Sequence, residues 1–146
     1  MAKNIGNYIW GEIRSPEHLG QVRMAAMTKF LSDYETGLSE GRYVNASLPE
    51  LPFDNLQFDL ALCSHFLFLY SDKIDFDTHV AGMKELCRVA REVRIYPLLA
   101  LDGKLSPHLD AVCDELQKID IHVARVPVKY QFQKGANEML VAKNSV

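Results

Sequence analysis

The spacing of apolar residues predicts a long helix near the start of the chain. Ser15 and Pro16 form a helix start, because serine caps helices well and proline fits the first turn. Apolar residues then recur at helical spacing as far as Gly37, which we expect to end the helix. The residues before Ser15 have no such periodicity, and we expect 1–14 to be irregular.

Two strands are predicted after this helix. The first covers 41–46, and the second covers Phe58–Ser64. The second is apolar almost throughout, which is typical of a strand buried on both faces of a parallel sheet. Between the two strands, Pro49 and Pro52 disfavour regular structure.

The rest of the chain continues this alternation and ends on two strands with no helix between them. The predicted elements are a helix capped by Asp75 or Asp77, a strand over Val93–Leu99, a helix that starts at Ser106-Pro107, and strands over Ile121–Tyr130 and Met139–Lys143. Strands that alternate with helices indicate an α/β fold with crossover connections. The final pair, joined by a loop, should be antiparallel.

Pro127 predicts where the last strands lie in the sheet. Proline donates no hydrogen bond to a neighbouring strand, so the Ile121–Tyr130 strand should lie at an edge. The Met139–Lys143 strand would then be inserted between it and the Val93–Leu99 strand. We expect residues 1–146 to form a single domain.

Composition is that of an ordinary globular protein, with 146 residues, 48% apolar types and 24% charged types. The run Phe66–Tyr70 is the longest apolar stretch and is too short to span a bilayer. Without an export signal, we expect a cytoplasmic protein. The net charge of −3 predicts no nucleic-acid partner and no membrane partner.

Acidic residues are concentrated between Glu50 and Asp77, where six acids accompany one base, Lys73. Solvated loops explain this cluster, and the alternative is a negative pocket mouth that favours a cationic ligand.

No metal site is predicted. The three cysteines, at positions 63, 87 and 113, are widely spaced and suit small buried side chains in a reducing compartment. Asp75, Asp77 and His79 are of metal-ligand type, but helix capping accounts for the aspartates.

The run from Gly41 to His65 resembles the class I S-adenosylmethionine-dependent methyltransferases. Its segments GRYVNAS, LPF and FDLALCSH are similar to the stretch between the family's third strand and the end of its fourth. A helix, the strand EVRIYPLL, another helix, a strand and EMLVAK follow in the family's order. From about residue 40 onward, the resemblance implies a three-layer Rossmann-like sheet, mostly parallel, with a C-terminal antiparallel hairpin.

The family's glycine-rich loop, which holds the methionine part of the cofactor, has no counterpart here. The eight glycines are dispersed, at positions 6, 11, 20, 37, 41, 82, 103 and 135. The resemblance therefore implies a partial domain, incomplete on its N-terminal side. We expect weak or no binding of S-adenosylmethionine and weak or no methylation of a small molecule by this chain alone. The alternative is a non-catalytic interaction subunit with the same fold.

The resemblance also assigns cofactor-binding and catalytic positions. Ser47 and Leu48 match the adenine-contacting position, and Cys63 and Ser64 match the segment that lines the cleft after the fourth strand. His65 is the candidate catalytic residue, because imidazole titrates near neutrality and can take a proton from an acceptor.

Structural alternatives remain for these residues. Ser47 can simply form a turn, and His65 can be a packed, hydrogen-bonded side chain. The aromatic run after His65 either walls an acceptor pocket or packs in the core. A serine hydrolase is disfavoured because the sequence lacks GxSxG.

The missing unit also affects the predicted sheet. In the family's strand order, loss of the first two strands would expose one edge of Phe58–Ser64, an apolar strand that invites pairing. Either the 41–46 strand moves in beside it, or two chains pair. We expect a homodimer.

Overall fold

The computed structural model describes residues 6–145, which fall into two compact units, Met1–Ala46 and Ser47–Val146. Residues 9–14 form bends and irregular backbone. The same expectation for residues 1–5 lies outside the described residues. None of the helices in the described part is long and apolar enough to cross a membrane.

The first unit contains helix α1, Pro16–Ser39. Its predicted start is confirmed, since Ser15 Oγ accepts a hydrogen bond from His18 N at 3.1 Å. The predicted end at Gly37 is wrong, because the helix continues two residues further. Gly37 serves a different purpose there: a Cβ atom at this position would lie 2.2 Å from the ring of Tyr43.

The predicted strand over 41–46 is also wrong, because these residues fold back on α1. Arg42 N donates to Gly37 O at 2.8 Å, after Gly41 has turned the chain with a φ of +71°. Arg42 and the Tyr43 hydroxyl both bind the Asp33 carboxylate, and Arg42 contacts each of its two oxygens. These hydrogen bonds lower the pKa of Asp33 to about 2, and the bond from Arg42 has the largest effect.

The second unit contains a four-stranded sheet. Its strands are β1 Phe58–Ser64, β2 Ala90–Tyr96, β3 Ile121–Pro127 and β4 Glu138–Asn144. Their order across the sheet is β1-β2-β4-β3. The inserted last strand, the antiparallel final pair and the edge position of the strand with Pro127 are therefore confirmed.

A mostly parallel sheet is not found. β1 and β2 are parallel, whereas β4 is antiparallel to both β2 and β3. Two strands also end earlier than predicted. β2 stops before Pro97, which has no N–H with which to continue a ladder, and β3 stops at Pro127.

Helices α2, Phe76–Val89, and α3, Leu109–Gln117, pack against the sheet and against each other. Of the two predicted caps of α2, Asp75 is the one found, with its side chain accepting from Thr78 N at 2.8 Å. The predicted start of α3 at Ser106-Pro107 is too early by two residues. Ser106 Oγ accepts from His108 N in the turn that precedes the helix.

The core of this unit lies between the two helices and one face of the sheet. Its largest fully buried side chains are Phe68, Leu67, Met83, Ile95, Leu109, Leu116, Leu140, His79, Val89, Val93 and Val112. Both helices lie on the same face, so residues 47–145 form two layers and not three.

Strand β1 is not buried on both faces as expected. Phe58, Leu60 and Leu62 remain exposed, Leu62 with 70% of its surface. They alternate with Ala61 and Cys63, which face the helices and join the core. β1 is the edge strand, and its outer face lies on the side of the sheet opposite the helices.

Replacing Leu140 with alanine should lower the free energy of unfolding by about 2–5 kcal/mol, because this fully buried side chain leaves a cavity. Leu101→Ala is the matched control, since Leu101 is 54% exposed and should change the value by under about 0.5 kcal/mol. Urea denaturation followed by circular dichroism measures both. Equal losses would contradict the core described above.

Candidate functional site

The carboxyl ends of β1 and β2 lie side by side, as the ends of two parallel strands must. His65 N donates to Tyr96 O at 2.7 Å where the two strands end. His65 has a φ of +56°, in the left-handed region that costs a residue with a Cβ atom about 1–2 kcal/mol. The chain thus turns sharply straight after β1. In open α/β sheets, ligands bind beyond such strand ends.

Ser64 and His65 form a hydrogen-bonded pair at this position. Ser64 Oγ lies 2.7 Å from His65 Nδ1, and both residues are exposed. If Nδ1 donates to the hydroxyl, Nε2 of the neutral imidazole can accept a proton, whereas if the hydroxyl donates to Nδ1, the proton already resides on Nε2. Only the first of these tautomers allows His65 to act as a base on the other side of its ring.

Two tyrosines extend this arrangement. The ring of Tyr96 meets those of His65 and Tyr130 edge to face, at centroid distances of 5.6 and 5.9 Å. The Tyr96 hydroxyl donates to Ala136 O at 2.8 Å. Burial raises the pKa of Tyr96, so its hydroxyl stays protonated as a fixed donor. His65 therefore lies against an aromatic wall built by β2 and the β3–β4 loop.

Cys63 turns away from this exposed pair. Its side chain belongs to the core, and burial raises the pKa of its thiol. The prediction that Cys63 is a small buried side chain is therefore confirmed. Of the two predicted cleft residues, Ser64 is the one whose side chain is exposed to a ligand.

Leu48 packs against helix α2. A Cβ added at Gly82 of this helix would meet the Leu48 side chain at 3.6 Å. It would also meet the side chain of Leu67, which follows His65 by two residues, at 3.5 Å. Ser47 lies in a turn, with its carbonyl accepting from Glu50 N. Its predicted contact with adenine stays a prediction.

A salt bridge on α2 fixes the loop that carries these residues. Glu85 and Arg88 pair at 2.7 Å, and Glu85 also accepts from Leu51 N. Arg88 donates to Leu51 O and Phe53 O in the loop. The hydrogen bonds from Arg88 lower the pKa of Glu85. The sequence shows this pair only as neighbours on one helix face, and its link to the loop was missed.

His79 anchors the segment that follows His65. It is fully buried, and its two ring nitrogens lie 2.7 Å from Asp75 O and 3.1 Å from Leu67 O. Its ring stacks on Phe68 and lies 4.7 Å from the ring of His108. Burial lowers the pKa of His79. Asp75 caps α2 beside it, and no cluster of three metal-ligating side chains occurs among residues 6–145.

The aromatic residues after His65 were predicted either to line a pocket or to pack in the core, and they differ in burial. Phe68 is fully buried and belongs to the core, whereas Phe66 and Tyr70 are 45% and 38% exposed. Only the latter pair can contribute to the wall of a pocket.

A cavity of about 500 Å³ lies between the segments that follow β1 and β2. Leu101 N donates to Leu69 O and so joins these segments. The cavity is lined by Ser71, Asp72, Ala100, Leu101, Asp102, Lys104, Leu105 and Pro107. Its volume lies within the usual range for small-molecule sites, about 300–1,000 Å³. Its two carboxylates are each close to a lysine, Lys73 at 3.4 Å and Lys104 at 3.8 Å.

An uncharacterized protein of Methanocaldococcus jannaschii is similar to this chain. The two are 31% identical over 144 residues, which is 98% of this chain and 61% of the relative. The chain thus spans about three-fifths of the relative's length. No family model matches the chain, and no solved structure matches it significantly.

The buried His79 predicts a loss of stability in mild acid. Its pKa is lowered in the folded chain, whereas the unfolded chain keeps a value of about 6.5. Unfolding therefore takes up a proton, and the free energy of unfolding should fall as the pH drops below about 6.5. Urea denaturation of the wild type and His79→Gln between about pH 7.5 and pH 5.5 tests this. The variant should show a smaller decrease, and an equal decrease would assign the effect to groups other than His79.

Proposed function

We propose that this chain is the acceptor-side part of a cytoplasmic class I S-adenosylmethionine-dependent methyltransferase that acts on a small molecule. The order β1-β2-β4-β3, with its last strand inserted and antiparallel, carries the proposal. It is the order that the resemblance implies for the family's fourth, fifth, seventh and sixth strands. A Rossmann-like classification of the whole domain is part of the same proposal.

The cavity beside Leu101 is the proposed acceptor site. Leu101, Leu105 and Pro107 offer apolar surface, and Asp72, Asp102 and Lys104 offer charges of both signs. Such a lining suits a small acceptor that has an apolar body and a hydrogen-bonding group. Methyl transfer is an in-line displacement, so much of the rate enhancement can come from aligning the reactants and excluding water.

His65 does not line this cavity, so it is the proposed base for an acceptor that extends from the cavity to the end of β1 and must lose a proton. Its hydrogen bond with Ser64 and its contact with Tyr96 orient the ring at the end of β1. An acceptor that is already nucleophilic needs no base, and His65 would then only position it.

The residues of this chain fit only part of S-adenosylmethionine. Ser47, Leu48, Cys63 and Ser64 correspond to cleft positions, but Leu48 packs on α2 and Cys63 in the core. The dispersed glycines supply no amide cluster for the methionine end, which the resemblance assigns to a unit outside this chain.

The alternative function is that of an interaction subunit without cofactor or catalysis. The exposed apolar residues of edge strand β1, above all Leu62, favour this alternative. A cofactor-binding measurement separates the two functions.

Calorimetric titration with S-adenosylmethionine should show weak or no binding to this chain and micromolar affinity for the longer archaeal relative. The relative has room for the missing unit, since the chain spans 61% of it. Micromolar binding by this chain alone would contradict the partial site. Absence of binding by both proteins would contradict the methyltransferase proposal.

His65→Ala should impair turnover more than stability. We would measure methyl transfer from S-adenosylmethionine to the small molecules of a cell extract, using this chain fused to the remainder of the archaeal relative. A base contributes about 10²–10⁴-fold to the rate, so a loss of that size with an unchanged melting temperature is expected. The matched control is His122→Ala, since His122 is also an exposed histidine. If His65→Ala lowers the melting temperature and the turnover together, His65 is a packing residue.

A further inference from the structure

Strand β1 presents hydrogen-bonding groups along the open edge of the sheet. His65 N donates to β2, and Ser64 is paired with Tyr96, so the main-chain groups of odd-numbered residues in β1 point toward β2. Those of the even-numbered residues, Phe58 to Ser64, point outward. Among residues 6–145, the sheet provides no second neighbour for this strand.

The same edge exposes apolar side chains. Phe58, Leu60 and Leu62 are 38%, 43% and 70% exposed, and all lie on the face of the sheet opposite α2 and α3. The strand contains no proline, and its one charge is Asp59. An apolar edge with so little protection is a template for pairing with another chain.

We propose that this edge pairs with the same edge of a second copy of the chain, antiparallel, about a two-fold axis at Ala61. A two-fold axis normal to the sheet brings one edge onto itself and keeps the two outer faces on the same side. All seven residues of β1 then find a partner. Four pairs of even-numbered residues exchange about two hydrogen bonds each.

The charge on Asp59, which lies 3.6 Å from Arg91 of its own copy, favours this register over its neighbours. With the axis at Ala61, each Asp59 lies opposite Cys63 of the second copy. The two carboxylates are then four residues, or about 14 Å, apart along the strand. That exceeds the screening length of about 8 Å at physiological salt.

The two adjacent registers are poorer. An axis at Leu60 would bring the two Asp59 side chains to about 7 Å on the same face. An axis at Leu62 would leave Phe58 and Asp59 without partners. Only at Ala61 do full pairing and separated charges coincide.

The paired edge also covers apolar surface. In this register, Leu60 of one copy lies directly opposite Leu62 of the other, and the pair occurs twice. Cross-strand apolar pairs of this kind stabilise a sheet. The second copy therefore fits the edge in its main-chain groups, its side chains and its charge, independently of the methyltransferase proposal.

Sedimentation equilibrium of the wild type and two lysine variants tests the interface. The wild type should be a dimer at high micromolar concentration. Leu62→Lys should raise the dissociation constant by about tenfold or more, because it places a charge against Leu60 of the second copy. Leu62 is already mostly exposed, so the variant should keep its circular dichroism spectrum. Val126→Lys, on the same sheet face but on edge strand β3, is the matched control and should stay dimeric.

A disulfide tests the register. In Ala61→Cys, the new cysteine would lie opposite the same cysteine of the second copy. The two form a non-hydrogen-bonded pair, in which Cα atoms are about 4.5 Å apart and a disulfide can form. Mild oxidation should cross-link this variant much faster than Val126→Cys.

Three results would overturn the proposal. These are a monomeric wild type at high micromolar concentration, equal effects of Leu62→Lys and Val126→Lys, and equal cross-linking of the two cysteine variants. A monomer whose β1 amides become protected from hydrogen exchange only when the remainder of the archaeal relative is added would assign the edge to that segment instead.

Discussion

The structure of residues 47–145 depends on the insertion of β4 between β2 and β3. Strand β4 forms ladders on both sides, and its Leu140 and Ala142 face the core between the sheet and the helices. Asn144 secures the end of this strand, since its side-chain amide donates to Cys87 O and Ala90 O, where α2 gives way to β2. Without β4, the strand on which α3 packs, β3, would have no neighbour in the sheet.

Strand order could be predicted because the constraints on it are local. Proline at position 127 cannot sit in the middle of a sheet, and the loop before β4 is too short for a crossover helix. The strand predicted at 41–46 failed for the opposite reason. Tyr43 and Val44 suit a strand, but Asp33 recruits Arg42 and Tyr43 for the end of α1. Strand propensity carries no information about such a competing contact.

In the candidate site, too, local features could be predicted from the sequence and long-range contacts could not. Ser64 and His65 could be placed at the end of an apolar strand, and the structure puts them beside Tyr96. The groups that hold the surrounding segments could not be foreseen. His79 reaches Leu67 and Arg88 reaches Leu51 through main-chain carbonyls, which have the same chemistry at every position. Exposure of the outer face of β1 was likewise hidden, because an apolar strand looks alike in the middle and at the edge of a sheet.

The two edges of the sheet differ in a way that limits the size of any assembly. β3 ends at Pro127, and its Arg125 side chain is bound to Asp110 of α3, so this edge offers a poor template. Continuous polymerisation by sheet extension needs two adhesive edges on each molecule. A molecule with one adhesive edge instead forms a closed species, so raising the concentration increases the number of assemblies and not their length. With the edge pairing proposed above, this asymmetry protects the chain against fibre growth despite its apolar strand.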